Sequence, residues 1–532
     1  MIHSRHSFFK HSCRSAGAFL ILLVTLAVGE SRALAFQTPP SAAKTVNVRS
    51  FGARMDGATD DRKAIQAAID SIPAGTVFLP AGTYAISPVD DGTRFLTLKP
   101  NITFAGENGT ILKVLDGVKP YNTVLYASDC TNCVLESFTI DSNAFKNPVS
   151  SFAEIRAHSR REIALFGGTH IVVRSVTIRK STAFNSIDIN PNHGEIHDVH
   201  IEDCNFVDIG DDPNHVVHDS SSIYSHASDV VITRNHFQGR RGAPALVAAI
   251  EIHGSNTAVT DNTIVDYLLG MNISGVAEQD SVNNIVQHNT ISGALDGILI
   301  WSNHYAGHTS GYGIDGLNIS NNTIHVNQLS FRNPLPASAD VVSGIALEPT
   351  ADLPIRNVVI ADNTVTFDAE SSARKINSMS MGIGLWPARS ALPLESIVIS
   401  GNSITDSPLA AVHLTGLLSH CRIKNNNIRN AGRTLYPAAI EGYKAPIFIS
   451  GAPMEDVEVS GNSVLEDLPV SRMVYAIRAL TPAGESRMIR ILNNKVTLGG
   501  RTTASFRDCV ASDRATRAYV AQPCTASPGR AK

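Results

Sequence analysis

Apolar and polar positions recur in one short phrase along most of this chain. Val259-Thr-Asp-Asn-Thr-Ile264 is typical: an apolar residue, two variable ones, Asn, one more, then an apolar residue. The phrase returns at Ile201–Phe206, Ile232–Phe237, Val286–Ile291, Ile319–Ile324, Ile360–Val365, Ile399–Ile404, Ile423–Ile428, Val459–Val464 and Ile491–Val496. Its Asn falls at Asn205, Asn235, Asn262, Asn289, Asn322, Asn363, Asn402, Asn426, Asn462 and Asn494, in steps of 24 to 41 residues. Unequal steps around a fixed phrase indicate a solenoid with insertions. Between successive Asn lies a second short strand, such as Ile250-Glu-Ile252, Met271-Asn-Ile273 or Ile298-Leu-Ile300. Two strands per coil and one Asn at a fixed offset predict an all-β fold, a single-stranded right-handed parallel β-helix. Stacked Asn amides would bond the coils above and below, where the backbone bends out of the sheet. A sandwich or propeller would need hairpin turns about every ten residues, and Asn-Gly or Asp-Gly pairs at that spacing are missing. From about Thr103 to Ile178, Phe138 and Val176 stand in the Asn position, which predicts an apolar stack there.

The second strand carries the candidate chemistry. In Ser186-Ile-Asp-Ile-Asn190, Ile187 and Ile189 point inward, so Asp188 and Asn190 point out. Aligned coil by coil, the outward residues continue as Tyr224 and His226, Glu251 and His253, Asn272 and Ser274, then Leu299 and Trp301. Ala346 and Glu348, Gly384 and Trp386, and His413 and Thr415 complete the stripe. Both Trp residues of the chain fall in it, and by this alignment no Lys or Arg does. Indoles offered to solvent beside carboxylates, imidazoles and carboxamides suit the apolar faces and hydroxyls of sugar rings. Asn190, Asn272, Trp301, Trp386 and His413 are the expected substrate-binding residues.

Asp188 and Glu251, two coils or about 10 Å apart by backbone spacing, are the expected carboxylate pair of an inverting glycoside hydrolase. Glu251 would be the acid and Asp188 the base, with Tyr224, His226 and His253 tuning them and Glu348 a rival carboxylate. A polysaccharide lyase could instead use Tyr224 and His226 as acid and base. It would need a cation for the uronate carboxylate, and calcium on Asp188, Asp211, Asp212 and Asp219 is the candidate. For the hydrolase no cofactor is expected. A non-catalytic glycan-binding solenoid is the third reading. The run His193, His197, His200, His215 and His218 scatters over strand and loop and reads as solvated turns rather than a metal site.

The rest of the chain sets the context. Basic residues up to Arg14, an apolar run from Ala16 to Val28 and Ala33-Leu-Ala35 predict a signal peptide over residues 1–35 and a secreted or periplasmic protein. No other stretch is long and apolar enough to span a membrane. Charged residues are 17% and the net charge is −4, so nucleic acid is not an expected partner. A polysaccharide or oligosaccharide is. Residues 36–100 are expected to open the solenoid and cap it, 101–505 to form it, and 506–532 to be a polar tail in which Cys509 and Cys524 can bridge. Cys130-Thr-Asn-Cys133 lacks a second pair, so buried or bridged thiols are expected. Cys204 and Cys421 read as core filler.

A family resemblance rests on the start of the mature chain. Val46-Asn-Val-Arg-Ser-Phe-Gly-Ala53, Asp56-Gly-Ala-Thr-Asp-Asp61, Ala64-Ile-Gln-Ala-Ala-Ile69 and Gly75-Thr-Val-Phe-Leu-Pro-Ala-Gly-Thr-Tyr84 resemble the opening of the pectate-lyase-like superfamily. That superfamily includes polygalacturonases, rhamnogalacturonases and phage tailspikes. The resemblance implies a parallel β-helix whose first coil is covered by a helix, with Asp60 or Asp61 capping it and Ala64, Ile65, Ala68 and Ile69 facing the core. It implies no one chemistry. Of the polygalacturonase motifs Asn-Thr-Asp, Gly-Asp-Asp, Gly-His-Gly and Arg-x-Lys, only Gly210-Asp-Asp212 occurs on the relevant coils, about ten residues from its strand, so that active site is not carried over.

Overall fold

The computed structural model describes residues 44–532 except 90–92, 119–121, 152, 155–156, 158–159, 211–218, 240–245, 276–279, 303–312, 327–340, 350–352, 369–378, 386–392, 433–443, 452, 469–472, 481–486, 499–507, 513–524 and 529–532. Its strands form three parallel sheets of 20, 16 and 14 strands among the described residues. The chain visits each sheet in turn: Ala258–Thr260, Thr263–Val265 and Leu269–Ser274 make one coil, and each pairs in parallel with its counterpart one coil on. The parallel β-helix is thus as expected, but a coil holds three strands. The repeated phrase is itself two strands, because the chain turns inside it.

That turn has one construction throughout. The residue before the bend is left-handed, as at Asp261 (φ 58), His288 (φ 56), Asn321 (φ 58) and Asp362 (φ 56), and the Asn after it turns inward. Asn262 Nδ2 donates to Asn289 Oδ1 (3.0 Å) and to the Ile232 carbonyl (2.9 Å), while the Asn262 backbone N–H also donates to Asn289 Oδ1 (3.0 Å). The same links join Asn289 to Asn322 and Asn322 to Asn363, and run on to Asn494. Every ladder amide is therefore paired in the dry interior, where an unpaired one would be costly. The ladder starts at Asn235. Asn205 is not in it: it is exposed, and Cys204, one residue earlier, takes the inward place and donates its backbone N–H to Asn235 Oδ1 (2.9 Å). Before Cys204, Val176 and Phe138 fill the same column, the apolar stack expected there.

The core is a continuous column of Ile, Val, Leu and Phe side chains inside the three sheets. The helix Arg62–Asp70 covers its first coil and buries Ile65, Ala68 and Ile69. Of the two candidate caps, only Asp60 bonds a helix N–H with its side chain. Asp60 accepts from the Arg62 N–H (3.0 Å), and Asp61 accepts from the Arg54 and Met55 N–H groups (2.6 and 2.9 Å), pinning the preceding loop. Strands begin at Thr45 and continue through Asp508–Ser512 and Thr525–Pro528, so the sheets reach beyond residues 101 and 505 at both ends. Cys130 and Cys133 are bridged; Cys204 and Cys421 are buried thiols. Cys524 and residues 1–43, with the expected signal peptide, lie outside the described residues, as does most of the insertions. No helix among the described residues is long and apolar enough to cross a membrane.

Candidate active site

The 14-stranded sheet presents the expected stripe. Its register sets Asp188 beside Tyr224, Tyr224 beside Glu251, Glu251 beside Asn272, then Leu299, Ala346, Gly384 and His413. Just before the stripe, Gly270, Gly297, Gly344 and Gly382 form a column. A Cβ on each of the first three would meet the next glycine's carbonyl at 2.3 to 2.7 Å, so side chains are excluded where the chain turns into the sheet.

A second row faces the same side, three residues before the stripe. Arg161, Asn185, Ser221 and Ala248 stand in register, followed by Leu269 and Asp296. Arg161 crosses Ala164 to bond Asp188 Oδ2, and its guanidinium carbon lies 5.2 Å from the Phe166 ring centre. Ser221 Oγ donates to Glu251 Oε2 (2.5 Å). The described part of the stripe from Asp188 to His413 thus carries no Lys or Arg of its own, but a cation from the neighbouring row reaches it. Arg161 bonds Asp188 from that row, and Arg478 lies in line with the stripe itself, beyond His413 and Phe448.

Tyr224, His226, Glu251 and His253 form one cluster. Tyr224 Oη and His226 Nε2 are 2.6 Å apart, and the rings of Tyr224, His226 and His253 lie 4.8 to 4.9 Å from one another. His253 Nδ1 bonds Ser274 Oγ (2.8 Å), and its Nε2 lies 3.2 Å from Glu251 Oε1. Asn272 Nδ2 donates to the same Glu251 oxygen (3.0 Å). Burial lowers the His226 imidazole to about 3, with help from His253, so the ring is neutral at ordinary pH. For Glu251 burial pushes upward, but His253, Ser221 and Asn272 outweigh it and hold the carboxyl below its ordinary value. Asp188 is raised by burial against the opposing Arg161. These directions run against the expected pairing of Glu251 as acid with Asp188 as base: Glu251 is held ionised, and Asp188 is tied to a guanidinium. Asp188 Oδ1 and Asn272 Oδ1 are buried without a well-directed hydrogen-bond partner among the described residues, while His253 Nε2 faces Glu251 Oε1. Buried polar atoms are normally satisfied, so these two oxygens are places where a ligand could bond.

A second acidic place lies three coils on. Glu348 pairs in register with Trp301, and burial raises it to about 7. Asp296, which the strand alternation did not pick out, is raised to about 8, first by burial and then by Glu348; it accepts the Ser343 N–H (2.8 Å). Trp301 is half-buried and Asn190 partly exposed, as binding residues can be. His413 is 1% exposed and stacks on Phe448 (5.0 Å), so its ring is packed rather than offered to solvent. Trp386, Asp211, Asp212, His215, His218 and the side chain of Asp219 lie outside the described residues. Among the described residues His200 bonds Asp198 (3.1 Å), and no cluster of metal-ligand spacing occurs.

Residues 45–299 match the family described as rhamnogalacturonase A/epimerase, pectate lyase-like. That stretch is similar to a pectate-lyase-like domain. It contains the Asp188–His253 cluster and ends on the stripe at Leu299. Mannuronan C5-epimerase AlgE1 of Azotobacter vinelandii is 41% identical over 107 residues, 18% of this chain and 8% of that protein. Alginate lyase 7 of the same organism is 46% identical over 77 residues, 13% of this chain and 9% of its own length. The chain thus spans less than a tenth of either relative. The tailspike protein of E. coli bacteriophage HK620, solved in complex with a pentasaccharide, superposes with a TM-score of 0.62 at 15% identity. That match covers 91% of this chain and 80% of the tailspike, and the likeness is one of fold. The likeness of fold runs on beyond residue 299.

Proposed function

We propose that this protein is a secreted carbohydrate-active enzyme that removes the C5 proton from uronate residues of a polysaccharide. The observation that carries the reading is the Arg161 guanidinium at Asp188, one coil from the hydrogen-bonded Tyr224–His226 pair. Loss of a proton beside a carboxylate leaves an enediolate, and a cation at that carboxylate stabilises the developing charge. With His226 neutral, the tautomer bearing a lone pair on Nε2 takes a hydrogen bond from the Tyr224 phenol, aligning both for proton transfer. The C5 proton passes to this pair, and the C–H electrons move into the carboxylate beside Arg161. Return of a proton from water to the other face inverts C5, and the pair gives its own proton back to solvent. Expulsion of the 4-O-linked sugar, protonated as it leaves by the proton the pair has taken, cleaves the chain and leaves a C4–C5 double bond. The names of the relatives, a mannuronan C5-epimerase and an alginate lyase, support a uronate substrate. Export through residues 1–35 belongs to the same proposal.

Glycoside hydrolysis is the second reading. Glu348, at about 7 beside Trp301, would hold a proton to give to a leaving oxygen. The purified protein incubated with polymannuronate, polygalacturonate and neutral polysaccharides in heavy water separates the readings. Deuterium at C5, or an ultraviolet-absorbing unsaturated product, is expected from a polyuronate. New reducing ends without either signal would establish hydrolysis instead. No change in any polymer, with binding retained, would leave a glycan-binding solenoid.

A further inference from the structure

The stripe does not begin at Asp188. Continuing the register toward the capped end, Asp188 pairs with Ala164, Ala164 with Tyr126 and Tyr126 with Thr97. Tyr126 thus stands two coils, about 10 Å, before Asp188. It belongs to a group of rings: Tyr126 and Phe166 meet edge to face at 5.8 Å, and His193 lies 5.8 Å from Phe166 and 6.4 Å from Tyr126. Guanidinium groups flank the rings on both sides, Arg94 4.3 Å over Tyr126 and Arg161 5.2 Å over Phe166. Tyr126 is half-buried and His193 exposed, so the group is open to solvent.

Arg94 and Arg161 differ in one respect. Arg161 is engaged by Asp188, whereas Arg94 has no carboxylate within ion-pair distance among the described residues. Several other arginines on the sheets are matched by acids on neighbouring coils, as Arg174 is by Glu136 and Arg356 by Asp315. An arginine held over a ring without an acid has its donor fork available to an external carboxylate. The ring beneath supplies an apolar face for a sugar.

We propose that Arg94, Tyr126, Phe166 and His193 form a binding subsite for an acidic sugar unit. The subsite lies on the capped side of the Asp188–His253 cluster, and the acidic chain runs along the sheet from one to the other. The proposal rests on the reading of the cluster as uronate-directed and adds to it a second place where a carboxylate is recognised. Ala164, between the two in register, presents only a methyl group.

The test titrates the full protein with mannuronate and galacturonate oligomers, and with neutral mannose oligomers of matching length, at low and high salt. At least one acidic oligomer is expected to bind more tightly than the neutral one, with affinity falling as salt rises. Arg94→Ala should weaken that binding at least about tenfold and flatten its salt dependence. Tyr126→Ala should weaken acidic and neutral oligomers alike. Arg94→Gln, which keeps the stem over the ring, serves if Arg94→Ala does not fold. Equal affinity for acidic and neutral oligomers, or unchanged affinity in folded Arg94 and Tyr126 variants, overturns the subsite. Acidic oligomers that bind through Arg94 but lose no C5 proton would overturn the proposed reaction and leave the subsite standing. Turnover of a polyuronate with KM unchanged in both variants would do the reverse.

Discussion

At the scale of single residues, the site holds titratable groups pushed in opposite directions, and this has consequences for both activity and stability. Tyr224→Phe removes the hydroxyl that bonds His226 Nε2 while keeping the ring against His253. Turnover of a polyuronate is expected to fall at least about 10²-fold, the usual size of an acid–base contribution, with oligomer binding retained; full activity would remove Tyr224 from the reaction. For stability the signs differ by residue. His226 is neutral in the fold down to about 3, so its contribution is present above the unfolded imidazole value and is lost as pH falls from there toward 3. Asp296 is the reverse case. Raised to about 8, it keeps its proton in the fold where the unfolded chain has lost it. Its contribution is therefore complete below the unfolded carboxyl value and is lost as pH rises through about 8; Glu348 adds the same sign up to about 7. Asp296→Asn keeps an oxygen for the Ser343 N–H and has no proton to lose. Its thermal midpoint should exceed that of the parent at pH above 8 and approach it in mild acid. A parent midpoint that does not fall with rising pH would show that Asp296 is not held protonated.

At the scale of the element, legibility followed how strictly a position is confined. The inward positions of the 14-stranded sheet from Ile187 to Ile300 are Ile except at Ser225 and Met271, so the outward row is legible directly and its register is the observed one. Arg161, Ser221 and Asp296 sit three places earlier, where the chain is still turning into the strand and alternation does not hold. The signal was available in their equal offsets from Ala164, Tyr224 and Leu299. Asn205 departs from the expected ladder for a related reason. The phrase Ile201-Glu-Asp-Cys-Asn-Phe206 contains an Asn one place too late, and position after the left-handed Asp203 (φ 55), not residue type, decides which side chain turns inward. This distinction has a measurable form. Asn289→Ala strips paired amides from a dry column and should cost about 1–3 kcal/mol in denaturant unfolding. Asn205→Ala, on an exposed side chain, should stay within about 0.5 kcal/mol of the parent. Similar costs for the two would contradict a ladder that begins at Asn235.

At the scale of the whole molecule, a stack of coils in which each touches only its neighbours should respond locally to damage. The capped end offers a clean trial. Arg94–Leu98 is the outermost strand described in the 14-stranded sheet, and such a strand leaves backbone groups without a strand partner. The capping helix supplies the partner through one side chain: Gln66 Oε1 accepts the Thr97 N–H (2.9 Å), and Gln66 Nε2 donates to the Thr97 carbonyl (3.1 Å). Ile65 and Ile69, on the same helix, close the core beneath. Gln66→Ala leaves those isoleucines in place and removes both bonds to the edge. Amide exchange is then expected to quicken at Thr97 and along Arg94–Leu98, to quicken less at Thr123–Ser128 one coil on, and to stay unchanged around Asn402. The acidic-sugar subsite sits on these first coils, so binding of an acidic oligomer should slow exchange there and partly offset the substitution. Faster exchange spread evenly to the far coils would mean that the solenoid opens as one unit, and that the cap stabilises the whole stack rather than its end.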